Sequence, residues 1–252
     1  MATTATITVT ATASTIMNNE QYRFSRLALL RLQSWLSPAF PSGAYSYSHA
    51  VEWAVEAGYI DDYKTLIDWL QADLRYGSGR NEAIFFIEAW RSAARDDQAK
   101  LLEIAALAGA FRGTSEFALE TSQQGMGSLS TLRRVWPDDL LNRLSQVLSE
   151  QHVPPSIAVV HGVASARQGV PANLALAAFL QSYVANLVTA GVRLIPLGQT
   201  DGQRAIAALE QAVLAATEEA LGATIDDLGS AAFMVDLASM RHETQYTRLF
   251  RS

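Results

Sequence analysis

Four histidines, with the carboxylates near them, are the residues of this chain best suited to metal binding or to acid–base chemistry. They are His49, His152, His161 and His242. No two lie at the spacing that brings paired imidazoles to one helical face, so the sequence predicts no metal motif. His49 and Glu52 are three residues apart at a predicted helix start. This pair is the one candidate for a transient metal contact, and the alternative is a partly buried imidazole on a surface helix.

Signatures of other chemistry are also missing. The chain has no Gly-x-x-x-x-Gly-Lys-Ser/Thr loop, so we predict no P-loop nucleotide binding. Gly125 and Gly127 fall inside a helical pattern over residues 115–135, where each glycine costs about 1 kcal/mol relative to alanine. We therefore expect a close helix approach or a break there. Catalytic groups meet in space and not in sequence order, so a site assembled from scattered polar residues stays an alternative.

One charged stripe has two interpretations. Arg112, Glu116 and Glu120 are spaced by four and are expected to line one helix face. That face could meet the charges of a partner protein. It could equally be a solvated face with one weak intrahelical ion pair.

Composition narrows the class of protein. The chain has 252 residues, of which 49% are hydrophobic and 17% charged, enough for one sizeable core. It has no cysteine, which excludes disulfides and thiolate sites. The net charge of −6 argues against a nucleic-acid partner, which requires clustered Lys and Arg. We expect a cytoplasmic protein without a cofactor. The first 19 residues lack the basic start of a signal peptide. Residues 1–24 are predicted to be a disordered tail because the sequence there is low in complexity.

The elements that must position these residues are predicted to be helices throughout. Apolar residues recur at spacings of three and four from Arg26 onward. We expect an all-α, single-domain bundle of roughly ten helices over residues 25–240, with flexible tails at both ends. Capping signals are predicted at Ser48 and Asp61, and at residues 200–203 and 224–227.

An uncharged stretch covers residues 172–192, which is about the length of a membrane span. Polar residues interrupt it on one helical face, which argues against a span. We interpret it as a core helix, buried all round by its neighbours or by a second copy of the chain.

Three separated segments resemble the urease accessory protein UreF family. The first is Ser-Pro-Ala-Phe-Pro-Ser-Gly-Ala-Tyr-Ser-Tyr-Ser-His-Ala-Val-Glu at residues 37–52. The second begins with Tyr183 and continues through residues 191–203, and the third is residues 242–252. Their order agrees with the family over roughly residues 26–252. Ala44 and Ala50 depart from it, since glycine is usual at both places.

The resemblance implies an all-α, non-enzymatic adaptor, commonly a homodimer. Such proteins join UreD and the GTPase UreG in the complex that loads nickel into apo-urease, and a role in modulating GTP hydrolysis by UreG has been proposed for the family. A helical enzyme and a stand-alone nickel chaperone are the alternatives. No nucleic acid and no membrane is expected among the partners.

The same resemblance suggests where the partners bind. Residues 241–252 are predicted to be a docking tail for UreD. Ordering ten residues costs about 10 to 20 kcal/mol, so alone the tail should stay loose, and the alternative is a tail packed on its own domain or merely soluble. Its contact residues are Tyr246, Arg248, Leu249, Phe250 and Arg251. The loop over residues 40–47 and the helix after it are assigned to UreG or to the passage toward it, through Tyr45, Tyr47, His49 and Glu52. Tyr183 and Arg193 are assigned to the core or to a dimer face.

Overall fold

The computed structural model describes residues 25–252, and within that range the protein is all-α, as predicted. The predicted N-terminal tail, residues 1–24, lies outside the described residues. The α-helices are α1 (Arg26–Trp35), α2 (Val51–Glu56), α3 (Tyr63–Tyr76), α4 (Ser78–Ala94), α5 (Gln98–Ala110), α6 (Ser115–Val135), α7 (Asp139–Glu150), α8 (Ile157–Arg167), α9 (Ala172–Leu194), α10 (Gln199–Gly222) and α11 (Phe233–His242). Short 3₁₀ turns occupy Ala44–Ser46 and Ile225–Asp227.

Helix α4 lies at the centre of the bundle. Four consecutive residues, Ile84 to Ile87, have no exposed surface, so the helix is enclosed on every side. It packs against α8, α5, α3, α10 and α9. Its charged residues Glu82 and Glu88 are buried as well, each beside an arginine. Charged positions usually mark a solvent face, so the sequence pattern gave no sign that α4 is enclosed.

Helix α9 is the predicted uncharged helix, extended by two residues to Leu194. By length and composition it could span a membrane, and half of its most apolar stretch is buried in the structure. It packs on α10, α4, α2, α8 and α3. That packing explains its lack of charge, although its burial is partial where the sequence predicts burial all round.

The close approach of two loops, and not of another helix or a break, explains the glycines of α6. The helix is unbroken from Ser115 to Val135. A Cβ atom on Gly125 would lie far inside van der Waals contact of the Pro155 carbonyl oxygen, and one on Gly127 would lie 2.8 Å from the Pro41 carbonyl oxygen. The glycines therefore let two loops pack against the backbone of α6.

The predicted caps differ from the structure in detail. Asp62, one residue after the predicted Asp61, caps α3 with a reciprocal bond to Thr65. Ser48 bonds the Glu52 amide, although α2 begins only at Val51. The capping box predicted at residues 200–203 is wrong, because α10 already begins at Gln199 and takes Thr200 inside it. The box at residues 224–227 is confirmed, on a 3₁₀ turn.

A second, smaller apolar cluster holds α11 to the body. It joins Ala50, Phe117, Ala232, Val235 and Ala238. Helix α11 thereby packs on α2 and α6. After it, residues 243–252 form what we call the C-terminal strap.

The strap crosses its own domain and ends buried. Phe250 is 4% exposed and Ser252 is fully buried. The expected loose tail is therefore corrected to a packed one. The reason is that the body supplies partners for the strap's backbone groups, which an estimate based on side-chain burial alone leaves out.

Candidate partner-docking site

The C-terminal strap and the loop over residues 40–47, which we call the tyrosine loop, are bonded to each other. The Arg251 amide donates to the Ser46 carbonyl at 2.9 Å, and the Ser48 amide donates to a Ser252 oxygen at 2.8 Å. Arg193 donates to the Tyr45 carbonyl at 3.1 Å and lies over the Phe250 ring at 4.4 Å. Two distant segments of the chain thus form one surface.

Beneath the strap, His242 lies between two buried carboxylates. Its Nδ1 is 2.8 Å from Glu116 of α6 and its Nε2 is 3.0 Å from Glu52 of α2. The strap supplies further donors to the same carboxylates. The Phe250 amide donates to Glu52 at 2.9 Å, and Arg248 donates to Glu116 at 3.0 Å.

His49 anchors a second buried network. Its Nδ1 is 3.0 Å from Glu120, which also accepts from the Ser252 hydroxyl at 2.8 Å. Its Nε2 contacts the Ser78 hydroxyl, which donates to Asp73 at 2.9 Å. Asp73 also accepts a hydrogen bond from the Tyr183 hydroxyl, at 2.6 Å.

Backbone strain accompanies this network. His49 has φ +53° and Ala50 has φ +66°, two consecutive residues in the left-handed region that favours glycine. The Ala50 methyl group is fully buried against Phe117 in the smaller apolar cluster. Burying that methyl group contributes about 0.8 kcal/mol, which offsets part of the strain. This explains how alanine is accepted at a position whose backbone conformation favours glycine.

Electrostatics favours the charged imidazoles. Burial alone would lower the pKa of His242, but hydrogen bonds to Glu116 and Glu52 outweigh it and raise the pKa above the ordinary value. The pKa of His49 is likewise raised. Burial lowers it, but the charge and hydrogen bond of Glu120, together with the charge of Asp73, raise it by more. Burial raises the pKa of Tyr183 well above its usual value, so its hydroxyl stays a neutral donor to Asp73.

These groups are not arranged as metal ligands. No group of three or more His, Asp or Glu side chains within residues 25–252 could hold a metal ion. Metal ligands converge on one point, whereas the two nitrogens of each imidazole point apart toward different partners. His49 bonds Glu120 and Ser78, while Glu52 bonds His242 and the strap. The structure therefore gives the candidate pair no shared point of coordination.

A cavity of about 540 Å³ borders this region. It extends from Tyr45 and Asn186 past His49 to Asp236. Among the described residues that line it, four polar atoms have no hydrogen-bond partner: Trp35 Nε1, Arg112 Nε, Glu82 Oε2 and His161 Nδ1. Arg112 and Glu82 form an ion pair through their other atoms, so one carboxylate oxygen and one guanidinium nitrogen of this pair lack a hydrogen bond.

The predicted site residues divide into outward-facing and inward-facing groups. Tyr246 is fully exposed, Leu249 is 57% exposed and Tyr45 is 69% exposed. Arg248, Arg251 and Arg193 keep partial or full exposure. Tyr47, His49, Glu52 and Phe250 are buried, and Tyr183 is partly buried with its hydroxyl on Asp73. The buried ones hold the surface together and leave the outward ones facing solvent.

The sequence-based interpretation missed part of the network. Glu116 and Glu120 share a face of α6, as predicted, but that face is buried against the two histidines. Arg112 lies before the helix and pairs with Glu82. Asp73 was overlooked entirely. Its signal was its position next to Leu74 on the apolar stripe of α3, where a polar residue requires partners.

Fold and site together define an all-α protein whose buried imidazoles and carboxylates hold a C-terminal segment and a tyrosine-bearing loop in one surface. The chain matches the family model of UreF over residues 60–210. It is 50% identical over 225 residues to the urease accessory protein UreF of Rhodopseudomonas palustris strain TIE-1, covering 89% of this chain and 92% of that relative. The UreF of Bradyrhizobium diazoefficiens is also 50% identical over 225 residues, and that of Granulibacter bethesdensis is 48% identical over 225 residues. Each alignment covers 89% of this chain, and it covers 92% of the Bradyrhizobium relative and 94% of the Granulibacter relative.

The chain therefore belongs to the urease accessory protein UreF family, whose members take part in urease maturation.

Proposed function

We propose that this protein is an adaptor that bridges UreD and the GTPase UreG, and through them serves GTP-dependent nickel insertion into apo-urease. The observation that carries the proposal is the bonded pair of strap and tyrosine loop. It gives one molecule two adjacent protein-binding elements, each with outward aromatic or apolar side chains. The contact with UreG is also where the protein would modulate the GTPase.

The strap is the proposed surface for UreD. Tyr246 and Leu249 face outward, while Phe250 and the backbone amides are fixed on the body. Packing of the strap means that little ordering entropy remains to be lost on binding. Helix α11 continues the surface with Phe233 and Met240, which are 75% and 51% exposed. A partner that covers these side chains would remove their apolar surface from water, which favours binding.

The tyrosine loop is the proposed surface for UreG, or for the passage toward it. Tyr45 is the exposed member of the candidate set, and an exposed tyrosine provides a large, rigid and amphipathic contact. Its carbonyl is held by Arg193, and the next residue, Ser46, accepts from the strap. Tyr47, His49 and Glu52 support this loop from inside.

A second copy of the chain is the proposed partner of α9. The helix carries no charged side chain from Ala172 to Val192, and much of it is only partly buried. Apolar surface without charges suits the centre of a homodimer interface. Sedimentation of the isolated protein tests this, and a monomer at high concentration contradicts it.

The proposal is tested by co-expressing the full chain with UreD and UreG and asking whether one complex elutes on size exclusion. We expect Tyr246→Ala with Leu249→Ala to abolish UreD capture, because both side chains point outward. The matched control is Leu214→Ala, which removes a leucine 50% exposed on α10. Tyr45→Ala should keep UreD and lose UreG. These variants are sharper than deleting residues 243–252, which would also strip donors from Glu52 and Glu116.

Retention of both partners by these variants would overturn the assignment of the two surfaces. Elution of the wild-type chain without either partner would overturn the adaptor role itself. Tight nickel binding by the isolated protein would instead favour the stand-alone chaperone.

A further inference from the structure

The hydrogen bonds around His242 require a particular protonation state. The side chain is fully buried, and both ring nitrogens face carboxylate oxygens, at 2.8 Å on Glu116 and 3.0 Å on Glu52. A neutral imidazole has one N–H and one lone pair, and its lone pair would then point at a carboxylate. Only the imidazolium donates to both. The geometry therefore requires a proton wherever both carboxylates are ionised.

Charge balance leads to the same conclusion. The charged groups facing the ring are Glu52 on α2, Glu116 on α6 and Arg248 on the strap. With His242 protonated, two negative and two positive charges cancel. Loss of the proton leaves one uncompensated negative charge among groups whose carboxylates are 6% and 5% exposed. Buried charge without compensation is strongly unfavourable.

These groups connect α11 and the strap to the body. His242 ends α11, and the strap's Arg248 and Phe250 bond the same two carboxylates. We infer that residues 233–252 are held by a proton-dependent latch, closed while His242 is an imidazolium and opened as it loses its proton. His49 and Glu120, with Asp73 and Glu82 nearby, form a second histidine–carboxylate pair under Ser252, and Glu120 raises the pKa of His49 against the effect of burial.

The direction of the effect follows from linkage. The closed latch raises the pKa of His242 above the ordinary 6.5, so the closed form binds the proton more tightly than the open form. Closure is fully stabilised below pH 6.5. It weakens as the pH rises from there through the raised value, by up to about tenfold per pH unit for one proton, and then levels off.

This inference rests on the proposed function, because it describes regulation of the same strap. An open strap must be ordered again before a partner can use Tyr246 and Leu249. Ordering flexible residues opposes binding. Capture of UreD should therefore weaken in the same pH range in which the latch opens.

The test is hydrogen exchange of the Leu249 and Phe250 amides in the full chain between pH 6 and 9, expressed as protection relative to the intrinsic rate at each pH. The wild type should lose protection as the pH rises above 6.5. His242→Gln should be low throughout and should keep only the smaller pH dependence that His49 and Glu120 contribute under Ser252. Glu52→Gln removes one carboxylate and should move the midpoint to lower pH. His152→Asn, at an exposed histidine, should keep the wild-type profile.

Constant wild-type protection from pH 6 to 9 would overturn the latch, and so would a His242→Gln profile that follows the wild type. The first result needs no variant to fold. UreD capture by the wild type separates the two proposals: if it persists while protection is constant, only the latch fails. Protection that changes with pH while UreD is never captured leaves the latch standing and rejects the adaptor surface.

Discussion

Each carboxylate in the interior of this protein has a specific donor. Glu82 pairs with Arg112, Asp73 accepts from Tyr183 and Ser78, and Glu116 binds His242. Removing one partner of a buried ion pair typically costs about 3 to 5 kcal/mol, because the other charge is left unpaired. Substitutions here change the fold before they change any contact with a partner. The exposed residues are therefore the informative ones for binding.

Gly125 gives a prediction at the scale of one residue. Gly125→Ala should lower the free energy of unfolding by about 1 to 2 kcal/mol, because overpacking against the Pro155 carbonyl outweighs the gain of about 1 kcal/mol in helix propensity. Urea denaturation measures it. The control is Gly222→Ala, where a Cβ atom meets nothing within 4 Å, and no loss is expected. Equal stability of the two variants would contradict the close approach.

Helix α6 organises the site at the scale of elements. Its buried face carries both Glu116 and Glu120, and its N-cap Thr114 bonds Ser239 of α11 at 2.6 Å. One helix therefore orients both histidine pairs and also fixes the helix that precedes the strap.

Thr114→Ala should lower the free energy of unfolding by about 1 to 2 kcal/mol, since it removes the cap on the Phe117 amide and the bond to α11. It should also increase hydrogen exchange in α11. Ser122→Ala, which removes a hydroxyl bonded only to its own helix, is the matched control and should change little. Unchanged hydrogen exchange in α11 would show that the bond from Thr114 to Ser239 does not stabilise that helix.

Periodicity predicted the helices well because apolar spacing is a local property. It placed the start of α1 at Arg26 and gave both bounds of α6. It could not show that α4 is central, since the burial of Glu82 and Glu88 depends on arginines that are distant in sequence or supplied by the next helical turn. Only part of the candidate site could be predicted from the sequence. His49 and Glu52 lie in a recognisable segment, but their partners Glu120 and His242 are 71 and 190 residues away in sequence.

At the scale of the whole molecule, stability should decline on both sides of neutral pH. Burial lowers the pKa of His161 to about 4, so the folded state keeps this imidazole neutral where the unfolded chain would protonate it. Folding is therefore penalised progressively as the pH falls from 6.5 toward 4. The penalty reaches about 3 kcal/mol. On the alkaline side, His242 and His49 lose the protons that their carboxylates require.

One variant tests whether His161 causes the loss of stability at acid pH. His161→Gln should unfold in urea at a midpoint that changes less between pH 7 and pH 5 than that of the wild type, because it has no proton to gain. His152→Asn should keep the full wild-type decline. If His161→Gln declines as steeply as the wild type, the acid sensitivity lies elsewhere.

The way Glu52 holds the strap has a consequence for evolution and for engineering. Its carboxylate accepts the backbone amides of Leu249 and Phe250, at 2.5 and 2.9 Å, and a backbone amide is present whatever side chain the residue carries. Position 249 can thus vary without loss of its anchor, so partner preference can diverge while the anchoring stays constant. Libraries that randomise positions 246 and 249 should yield folded proteins with new binding preferences.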